Sequence, residues 1–543
     1  MYRSGRRAAR VRAAAAVTVC AALGMAGCSS AKPSWKSDAT TAPPGLASYY
    51  SQQLDWSGCG DDPAFSTGVK AVDTMNDLAS LECAWLTVPM DYDDPTGDTI
   101  RLAVARHTVE GSKGLVVVNP GGPGGSGVDF VNQLVDGAGD KLRGSLDVVG
   151  FDPRGVGRSA PVHCLDTDGL DTFLSTDFDT STDTGLAQAE AAYAAFGAAC
   201  QENTGPLLGH VDTISAARDM DVLRAALRQP TLTYLGISYG TKLGATYASL
   251  FPDRVGRMVL DGALDPTTPD SEQTVTQVAG FESAMRAYVT DCLAGGSSAT
   301  KDTSGLGIGN VACPLSGSVD EAMAQVASVV TQAQATPMTT SSGRPLTGSL
   351  AFTGIIMPLY NQDYWILLTA ALQAAIVQHN GTVLLFLADN YSDRCDGITC
   401  PVKDGFYSNI MEANTAINCA DDRLDIDPQT LAEQIRQAAP ILGGLSTDDA
   451  DSCKDWPTPV VGPLPSYEAK GAPPIVVVGT TNDPATPYAW AQSLAKTLDS
   501  GVLVTHEGEG HAAYTGGIPC IQTAVDDYLV DGKVPQDGLT CSS

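Results

Sequence analysis

The sequence predicts an α/β fold in which a mostly parallel sheet is flanked by helices. Short apolar runs such as GLVVV, TLTYLGI and PIVVVG have the length and β-branched content of buried strands. Segments with helical spacing separate several of these runs, which is the alternation of parallel strands and crossover helices. At 543 residues, the chain is long enough for one large domain with a substantial insertion, or for two to four domains.

The predicted elements follow a regular order up to residue 266. Two strands joined by a polar turn come first, and strands then alternate with helices. These are strands at 81–90, 99–107, 114–118 and 146–151, helices at 187–200 and 213–227, and strands at 231–237 and 255–260. We therefore assign residues 56–266 to the first part of the core.

The alternation then stops and resumes only near residue 466. Residues 267–465 are mostly helical in their spacing, as in the run YWILLTAALQAAIVQ. A strand at 474–479, a helix at 488–498, a strand at 502–505 and a helix at 512–529 follow, and we assign 466–543 to the second part of the core. The sequence thus predicts a large, mainly helical lid inserted after the sixth strand.

The N-terminus has the features of an export signal. Five arginines precede an apolar run, and small residues lead up to Cys28. We predict a signal peptide at 1–27, lipidation of Cys28 as in bacterial lipoproteins, and a tether over residues 28–55. The alternative is ordinary cleavage near this point with release into the medium. Membrane attachment is expected only through the lipid on Cys28.

The cysteine count agrees with export. Twelve cysteines remain beyond Cys20 and Cys28, and an even number in an exported chain favours disulfides. No cysteine cluster carries histidines at zinc-ligand spacing, so no metal site is expected. Spacing does not fix the connectivity, but pairing of neighbours gives the candidates Cys59–Cys83, Cys164–Cys200, Cys292–Cys313, Cys395–Cys400, Cys419–Cys453 and Cys520–Cys541.

The strand predicted at 231–237 ends in the sequence Gly236-Ile237-Ser238-Tyr239-Gly240, and a helical pattern follows. A serine at a sharp strand-to-helix turn projects its hydroxyl, and flanking glycines relieve crowding in the strained backbone. G-x-S-x-G in this place predicts an α/β-hydrolase with Ser238 as its nucleophile.

A serine nucleophile needs a histidine base and an acid that orients it, and in this fold they follow in the order Ser, Asp or Glu, His. His511 lies in the loop after the last predicted strand, which suits the base. His506, within that strand end, and His379, within a lid helix, are the alternatives. Asp483 follows the strand at 474–479 and is the predicted acid. Its alternative role is to cap a turn or helix.

The developing oxyanion also needs hydrogen-bond donors. The N–H of Tyr239 directly follows the nucleophile, and the second donor is expected from the loop after the GLVVV strand. We assign it to Gly122 of NPGGPGGSG, with Gly121 as the next choice. A phosphate-binding loop is the alternative, but this loop does not fit the G-x-x-x-x-G-K-[ST] pattern.

The charge of the chain limits the classes of ligand that we expect it to bind. The formal net charge is −30, which opposes binding to nucleic acid and anionic membrane and favours cationic ligands. The alternative, that this charge serves solubility or salt tolerance, is the simpler interpretation. In the lid, Asp421 and Asp422 are adjacent, and we predict that they hold a substrate ammonium group. The alternative is a solvated acidic turn.

Six motifs together resemble the tripeptidyl aminopeptidase branch of the α/β-hydrolases, which also holds the prolyl iminopeptidases, and its secreted actinobacterial members above all. The resemblance covers about residues 80–541, with a TAP-like C-terminal segment at about 440–541. It rests on NPGGPGGSG, DPRGVGRS, GISYGT, AINCAD, NDPATP and GEGH. Pro120 replaces the histidine that begins this loop in prolyl iminopeptidases, which favours the tripeptidyl group.

The resemblance implies an exported serine exopeptidase that releases short peptides, often tripeptides, from free N-termini. An esterase or lipase on the same triad is the first alternative, and a non-catalytic surface binding protein is the second. We expect a monomer that acts on peptides and requires neither an organic cofactor nor a metal.

Overall fold

A ten-stranded sheet forms the centre of the protein in the computed structural model, which describes residues 42–66, 77–296, 311–395, 405–445 and 450–542. The predicted signal peptide and Cys28 lie outside these residues. Three neighbouring strand pairs at one edge of this sheet are antiparallel, and its six other pairs are parallel. The predicted fold class, a mostly parallel sheet flanked by helices, is therefore confirmed.

The described residues form twelve strands, of which eight lie close to the predicted positions. They are β1 (Ser57–Gly58), β2 (Glu82–Pro89), β3 (Thr99–His107), β4 (Leu115–Asn119), β5 (Asp147–Phe151), β6 (Leu232–Ile237), β7 (Val255–Asp261), β8 (Arg394–Cys395), β9 (Phe406–Tyr407), β10 (Ile475–Asn482), β11 (Gly501–Glu509) and β12 (Leu539–Ser542). β8 and β9 form a separate two-stranded sheet, and the order in the large sheet is β1-β2-β3-β5-β4-β6-β7-β10-β11-β12. β1, β8, β9 and β12 were not predicted, and β1 makes the strand before the lid the seventh in chain order.

Helices cover both faces of the sheet and fill the insertion. The core helices are α1 (Ala47–Ser51), α2 (Gly127–Gly137), α3 (Asp140–Arg143), α4 (Thr167–Ser175), α5 (Asp183–Thr204), α6 (Thr213–Ala226) and α7 (Tyr239–Leu250), and after the insertion α15 (Tyr488–Thr497) and α16 (Pro519–Asp531). The insertion holds α8 (Asp270–Leu293), α9 (Val319–Ala335), α10 (Gly348–Ile356), α11 (Trp365–Gln378), α12 (Thr382–Tyr391), α13 (Ile410–Asp421) and α14 (Pro428–Ala438). Short 3-10 turns connect several of them, among them Met357–Tyr360.

The two faces of the sheet bury separate apolar cores. Successive strand residues point to opposite faces, so Val117 belongs to one core while Val116 and Val118 belong to the other. A third core lies within the insertion and includes the buried side chains of Met285 and Leu368. The insertion therefore packs around apolar side chains of its own.

Two boundaries differ from the predictions. A tether through residue 55 is wrong for its last part, because α1 packs on the core and the buried Tyr50 hydroxyl donates to Asp221 at 2.5 Å. The closing helix begins at Pro519 and not at residue 512. Residues 512–518 instead form a turn, in which the N–H groups of Ala513 and Tyr514 donate to the Asp261 carboxylate.

Five of the predicted disulfides are present: Cys59–Cys83, Cys164–Cys200, Cys292–Cys313, Cys419–Cys453 and Cys520–Cys541. Cys395 is also disulfide-bonded, and its predicted partner Cys400 lies outside the described residues. Several disulfides in one chain are typical of an oxidising, extracytoplasmic environment. Among the described residues, the helices lack the length and apolar character that a bilayer span would need.

Candidate active site

Ser238 occupies a strained turn between β6 and α7. Its φ of +56° lies in the left-handed region, which residues other than glycine rarely adopt. The flanking glycines are required by close packing: a Cβ atom on Gly236 would lie 2.3 Å from the Gly240 carbonyl oxygen, and one on Gly240 would lie 2.9 Å from the Asn119 carbonyl oxygen. The turn therefore has the form that the G-x-S-x-G motif predicts.

His511 and Asp483 are paired at the carboxyl ends of neighbouring strands. Asp483 directly follows β10, and His511 follows β11. The Nδ1 atom of His511 lies 2.9 Å from Oδ1 and 3.0 Å from Oδ2 of Asp483. The N–H groups of Ala485 and Thr486 also donate to the Asp483 carboxylate, both at 2.9 Å. Asp483 thus caps its own turn, as its alternative role predicts, and also holds the imidazole of His511.

Opposing influences act on the His511 imidazole. Burial disfavours its charged form, but the negative charge of Asp483, its hydrogen bond and the charge of Asp261 outweigh burial and raise the pKa of His511. Asp483 holds Nδ1, so Nε2 is the nitrogen left for proton transfer. Nε2 is buried and has no hydrogen-bond partner among the described residues.

Ser238 and His511 both meet the end of β7. The N–H of Ser238 donates to the Asp261 carbonyl oxygen at 3.0 Å. A Cβ atom on Gly262 would lie 3.0 Å from Cε1 of His511. The two residues therefore both contact one short segment, without a hydrogen bond between them in this structure. Hydrogen bonds between catalytic groups are often long in free enzymes and tighten when substrate binds.

The glycine loop after β4 lies beside the nucleophile. A Cβ atom on Gly121 would lie 2.8 Å from Cβ of Ser238 and 3.0 Å from the nitrogen of Tyr239. The N–H of Gly121 donates to Asn119 Oδ1, whereas in the described part of the chain Gly122 N–H has no hydrogen-bond partner. The geometry therefore favours Gly122 over Gly121 as the second donor. Tyr239, the first residue of α7, has no acceptor within its own helix.

A cavity of about 410 Å³ connects the nucleophile to the lid. Ser238, Gly122 and Tyr239 line it from the core side, and residues from α8, α13 and α14 line it from the lid side. Its charged side chains are Asp270, Asp422, Asp451, Lys242 and Arg423.

Neighbouring groups cancel the charges that line this cavity to different degrees. Burial, followed by the charge of Asp422, raises the pKa of Asp270. Arg423 donates to the main-chain oxygens of Cys419, Asp422 and Thr458. Lys242 is paired with Asp421 at 2.8 Å. Three carboxylates and the Arg423 guanidinium remain, so the lining keeps a net negative charge, which favours a cation.

Asp421 does not have the environment that we predicted. It is buried at the end of α13, where it accepts the N–H of Thr213 at 2.7 Å, the Thr213 hydroxyl and the Lys242 ammonium. Its carboxylate is therefore engaged within the protein, which does not support a role in binding a substrate ammonium. Asp422, the other predicted acid, does line the cavity.

The alternative histidines lie in other environments. His506 is buried in β11 next to Thr480, with 3.4 Å between Nδ1 and the hydroxyl. His379 ends α11 and is exposed. Neither is paired with Asp483 in the described structure, which leaves His511 as the histidine at the site.

Sequence reasoning missed the contribution of the lid. The main-chain oxygen of Tyr360 accepts the main-chain N–H of His511 at 2.8 Å, and the two side-chain rings meet edge to face with centroids 5.4 Å apart. Gln277 of α8 donates to the main-chain oxygen of Ala485. No local pattern marks these residues. Lys242 was also missed, although it lies one helical turn after Ser238 and therefore on the same side of α7.

Two family models match the chain. The α/β hydrolase fold matches residues 114–298, and the TAP-like protein model matches residues 439–541. Serine protease Hip1 of Mycobacterium tuberculosis is 36% identical over 478 residues, which cover 84% of this chain and 87% of that protein. The protein belongs to the tripeptidyl aminopeptidase family of α/β-hydrolases.

Other relatives of the protein are named for different enzyme activities. Carboxylesterase B of Mycobacterium tuberculosis is 35% identical over 501 residues and covers 90% of both chains. A tripeptidyl aminopeptidase of Streptomyces lividans is 28% identical over 531 residues, covering 94% of this chain and 90% of that protein. The named protease and aminopeptidase relatives support the predicted class of a serine peptidase enzyme, and the esterase name keeps the first alternative open.

Proposed function

We propose that this protein is an exported serine exopeptidase that releases short peptides, above all tripeptides, from free N-termini. Ser238 is the nucleophile, His511 the base and Asp483 the acid. The observation that carries the proposal is the Asp483–His511 pair at the ends of β10 and β11, with Ser238 and His511 both in contact with the end of β7. The family and its peptidase members support the same chemistry.

The reaction is acyl transfer in two steps. His511 Nε2 takes the Ser238 proton while the hydroxyl oxygen attacks the scissile carbonyl, and Asp483 stabilises the imidazolium. The N–H groups of Tyr239 and Gly122 receive the oxyanion. The imidazolium then protonates the leaving amine, and water, activated by His511, hydrolyses the acyl-enzyme.

A free N-terminus is favoured by the acidic lining of the cavity. An α-ammonium group has a pKa of about 8 and is largely charged at neutral pH. Asp422, Asp270 and Asp451 line the cavity, whereas Lys242 is compensated by Asp421. We therefore assign the ammonium to Asp422, with Asp270 and Asp451 contributing to the field. Because the lid closes over this region, a chain that ends there fits better than one that passes through.

An esterase on the same triad is the second candidate, since one relative is named a carboxylesterase. The test compares a free tripeptide anilide, its N-acetylated form and a simple acyl ester as substrates of the chain lacking residues 1–28. The proposal expects the free anilide to be cleaved with release of the intact tripeptide, and the acetylated one to be cleaved poorly. Preference for the ester, with little cleavage of either anilide, would favour the esterase.

Ser238→Ala is the control for that comparison. Loss of all turnover in this variant, with its folding unchanged by circular dichroism, is expected if Ser238 is the nucleophile. Persisting anilide hydrolysis in the purified variant would contradict the assigned nucleophile, whatever the substrate preference.

We also propose that Cys28 carries a lipid and attaches the enzyme to the cell surface. The disulfides support export, and the residues before Cys28 support the lipid. Mass spectrometry of the N-terminal peptide from the membrane fraction tests this. An unmodified N-terminus, with the enzyme found in the medium, would instead support simple secretion.

A further inference from the structure

Asp261, the last residue of β7, bonds to both sides of the candidate triad. Its main-chain oxygen accepts the N–H of Ser238 at 3.0 Å. Its carboxylate accepts the N–H of Ala513 at 3.1 Å and that of Tyr514 at 2.8 Å. The side chain is fully buried. One residue therefore connects the nucleophile turn to the turn that follows His511.

The turn after His511 needs such support. Ala512 has a φ of +61°, a left-handed conformation that is unfavourable for a residue with a Cβ atom. Strained backbone of this kind persists only where surrounding contacts hold it. The two N–H groups that follow Ala512 are the ones that Asp261 accepts. The carboxylate thus fixes the backbone directly after the imidazole.

The charge of Asp261 also acts near the imidazole. Gly262 packs against His511, where a Cβ atom would lie 3.0 Å from Cε1. The negative charges of Asp483 and Asp261 act on the imidazole, and the Tyr360 ring meets it edge to face. Burial raises the pKa of Asp261 to about 6, against the N–H groups of Tyr514 and Ala513 and the charge of His511, which lower it.

Asp261 takes no part in the acyl-transfer steps of the proposed reaction. Asp261 is not the nucleophile, the base or the acid bonded to the base, and burying a carboxylate is unfavourable unless hydrogen bonds compensate it. We propose that Asp261 is a positioning residue that sets the distance between Ser238 and His511 by holding both turns. This inference rests on the proposed function, because it assumes that these two residues react together.

The test is the variant Asp261→Asn, whose amide leaves one of the two N–H groups without a good acceptor. We expect kcat to fall by about 10²-fold, as for a small misplacement of catalytic groups, while KM changes little. The acid limb of the pH–rate profile should move to lower pH, because a negative charge near His511 is lost. Rates are expressed per site labelled by a fluorophosphonate, so that misfolded molecules are not counted.

Asp526→Asn is the matched control. Asp526 is another buried acid, which accepts the side-chain hydroxyl of Tyr514 at 2.7 Å and the N–H of Leu142 in α3, but in the described structure it accepts no main-chain N–H of the turn after His511. This variant should leave kcat and the acid limb unchanged. Ala512→Gly in the Asp261→Asn background should restore part of kcat, because glycine adopts positive φ readily. If Asp261 had a purely structural role, the acid limb would stay at its wild-type pH and Ala512→Gly would not restore kcat.

The experiments distinguish a failure of the proposed function from a failure of the positioning role. If the wild-type enzyme is not labelled at Ser238, the proposed function fails. If it is labelled, but Asp261→Asn has the wild-type kcat and acid limb, the positioning role is wrong. Should Asp261→Asn not fold, hydrogen exchange of the wild-type amides at Ala513 and Tyr514 decides. Slow exchange supports the proposal, and exchange at the rate of an open loop overturns it.

Discussion

Gly280 in the first lid helix packs directly on Pro484 in the loop that carries the candidate acid. A Cβ atom on Gly280 would lie 2.6 Å from the Pro484 carbonyl oxygen and 3.3 Å from that of Asp483. The lid helix and the acid loop therefore meet backbone to backbone, with no room for a side chain. The geometry of Asp483 depends on the position of α8.

Gly280→Ala should consequently reduce activity. Alanine usually stabilises a helix relative to glycine by about 1 kcal/mol, but here the methyl group would push the acid loop away from His511. A small displacement of catalytic groups can lower kcat by about 10²-fold. Gly137→Ala is the control, since its nearest contact would be an ordinary 3.5 Å. Equal steady-state kinetics for the two variants would contradict this coupling.

The close approach of the glycine loop gives a second prediction. Gly121→Ala would bring a Cβ atom to 2.5 Å from the Ile237 carbonyl oxygen and 2.8 Å from Cβ of Ser238, at a φ of +95°. We expect loss of turnover and of labelling by fluorophosphonate. Gly111→Ala, also at positive φ but with open space around it, is the matched control. Its effect should be confined to a small loss of stability.

The charge environment of His511 predicts the pH dependence. Its pKa is raised above the ordinary value of about 6.5, and the base must be neutral. Activity should therefore fall as pH decreases through this raised pKa. Asp483→Asn removes the raising charge, so the acid limb of kcat/KM should move to lower pH, with kcat reduced by about 10⁴-fold as in other triads. An unchanged limb in the residual activity would indicate another base or another acid.

The two adjacent lid acids should respond differently to substitution. Asp422→Asn should raise KM for a peptide anilide with a free amine, with less effect on an acylated ester. Asp421→Asn leaves Lys242 and Thr213 with a poorer partner and should lower the free energy of unfolding by about 1–3 kcal/mol. Urea unfolding and substrate kinetics of both variants measure this. The reverse pattern would return the amine-binding role to Asp421.

The disulfide between Cys419 and Cys453 should affect both stability and substrate binding. It joins residues 34 positions apart, and removing such a link typically costs about 2–4 kcal/mol. Because Cys453 lines the cavity, replacing both cysteines by alanine should also raise KM. Removal of Cys520–Cys541, at the C-terminal strand, should lower the denaturation midpoint and leave KM unchanged. A raised KM in that control would point to a general loss of structure.

Patterns confined to short segments allowed the sequence to predict much of the site. Ser238 was recognisable because a strand, a serine between glycines and a helix follow one another locally. Asp483 and His511 were predictable because the acid and the base follow the nucleophile in a fixed order in this fold, and each comes directly after a strand. The disulfide pairs were predictable because close neighbours are joined.

The errors arose where distant contacts decide the outcome. The tether was predicted to run to residue 55 because residues 29–48 have a linker composition, but Tyr50 donates to Asp221 on α6 and α1 packs on the core. Helical spacing continues from residue 512, yet Asp261 accepts the N–H groups of Ala513 and Tyr514 and the helix begins later. Asp421 was assigned to substrate because its partners, Thr213 and Lys242, lie far away in sequence.

The sequence by itself determined the fold, the candidate nucleophile, base and acid, and the helical insertion, because these depend on periodicity and on the order of motifs along the chain. Only the tertiary structure decided which carboxylates are compensated and which face the cavity, and it alone showed that Tyr360 and Asp261 hold the His511 segment. The physical reason is that hydrogen bonds, burial and charge pairing act through space between residues whose separation along the chain contains no information about their distance.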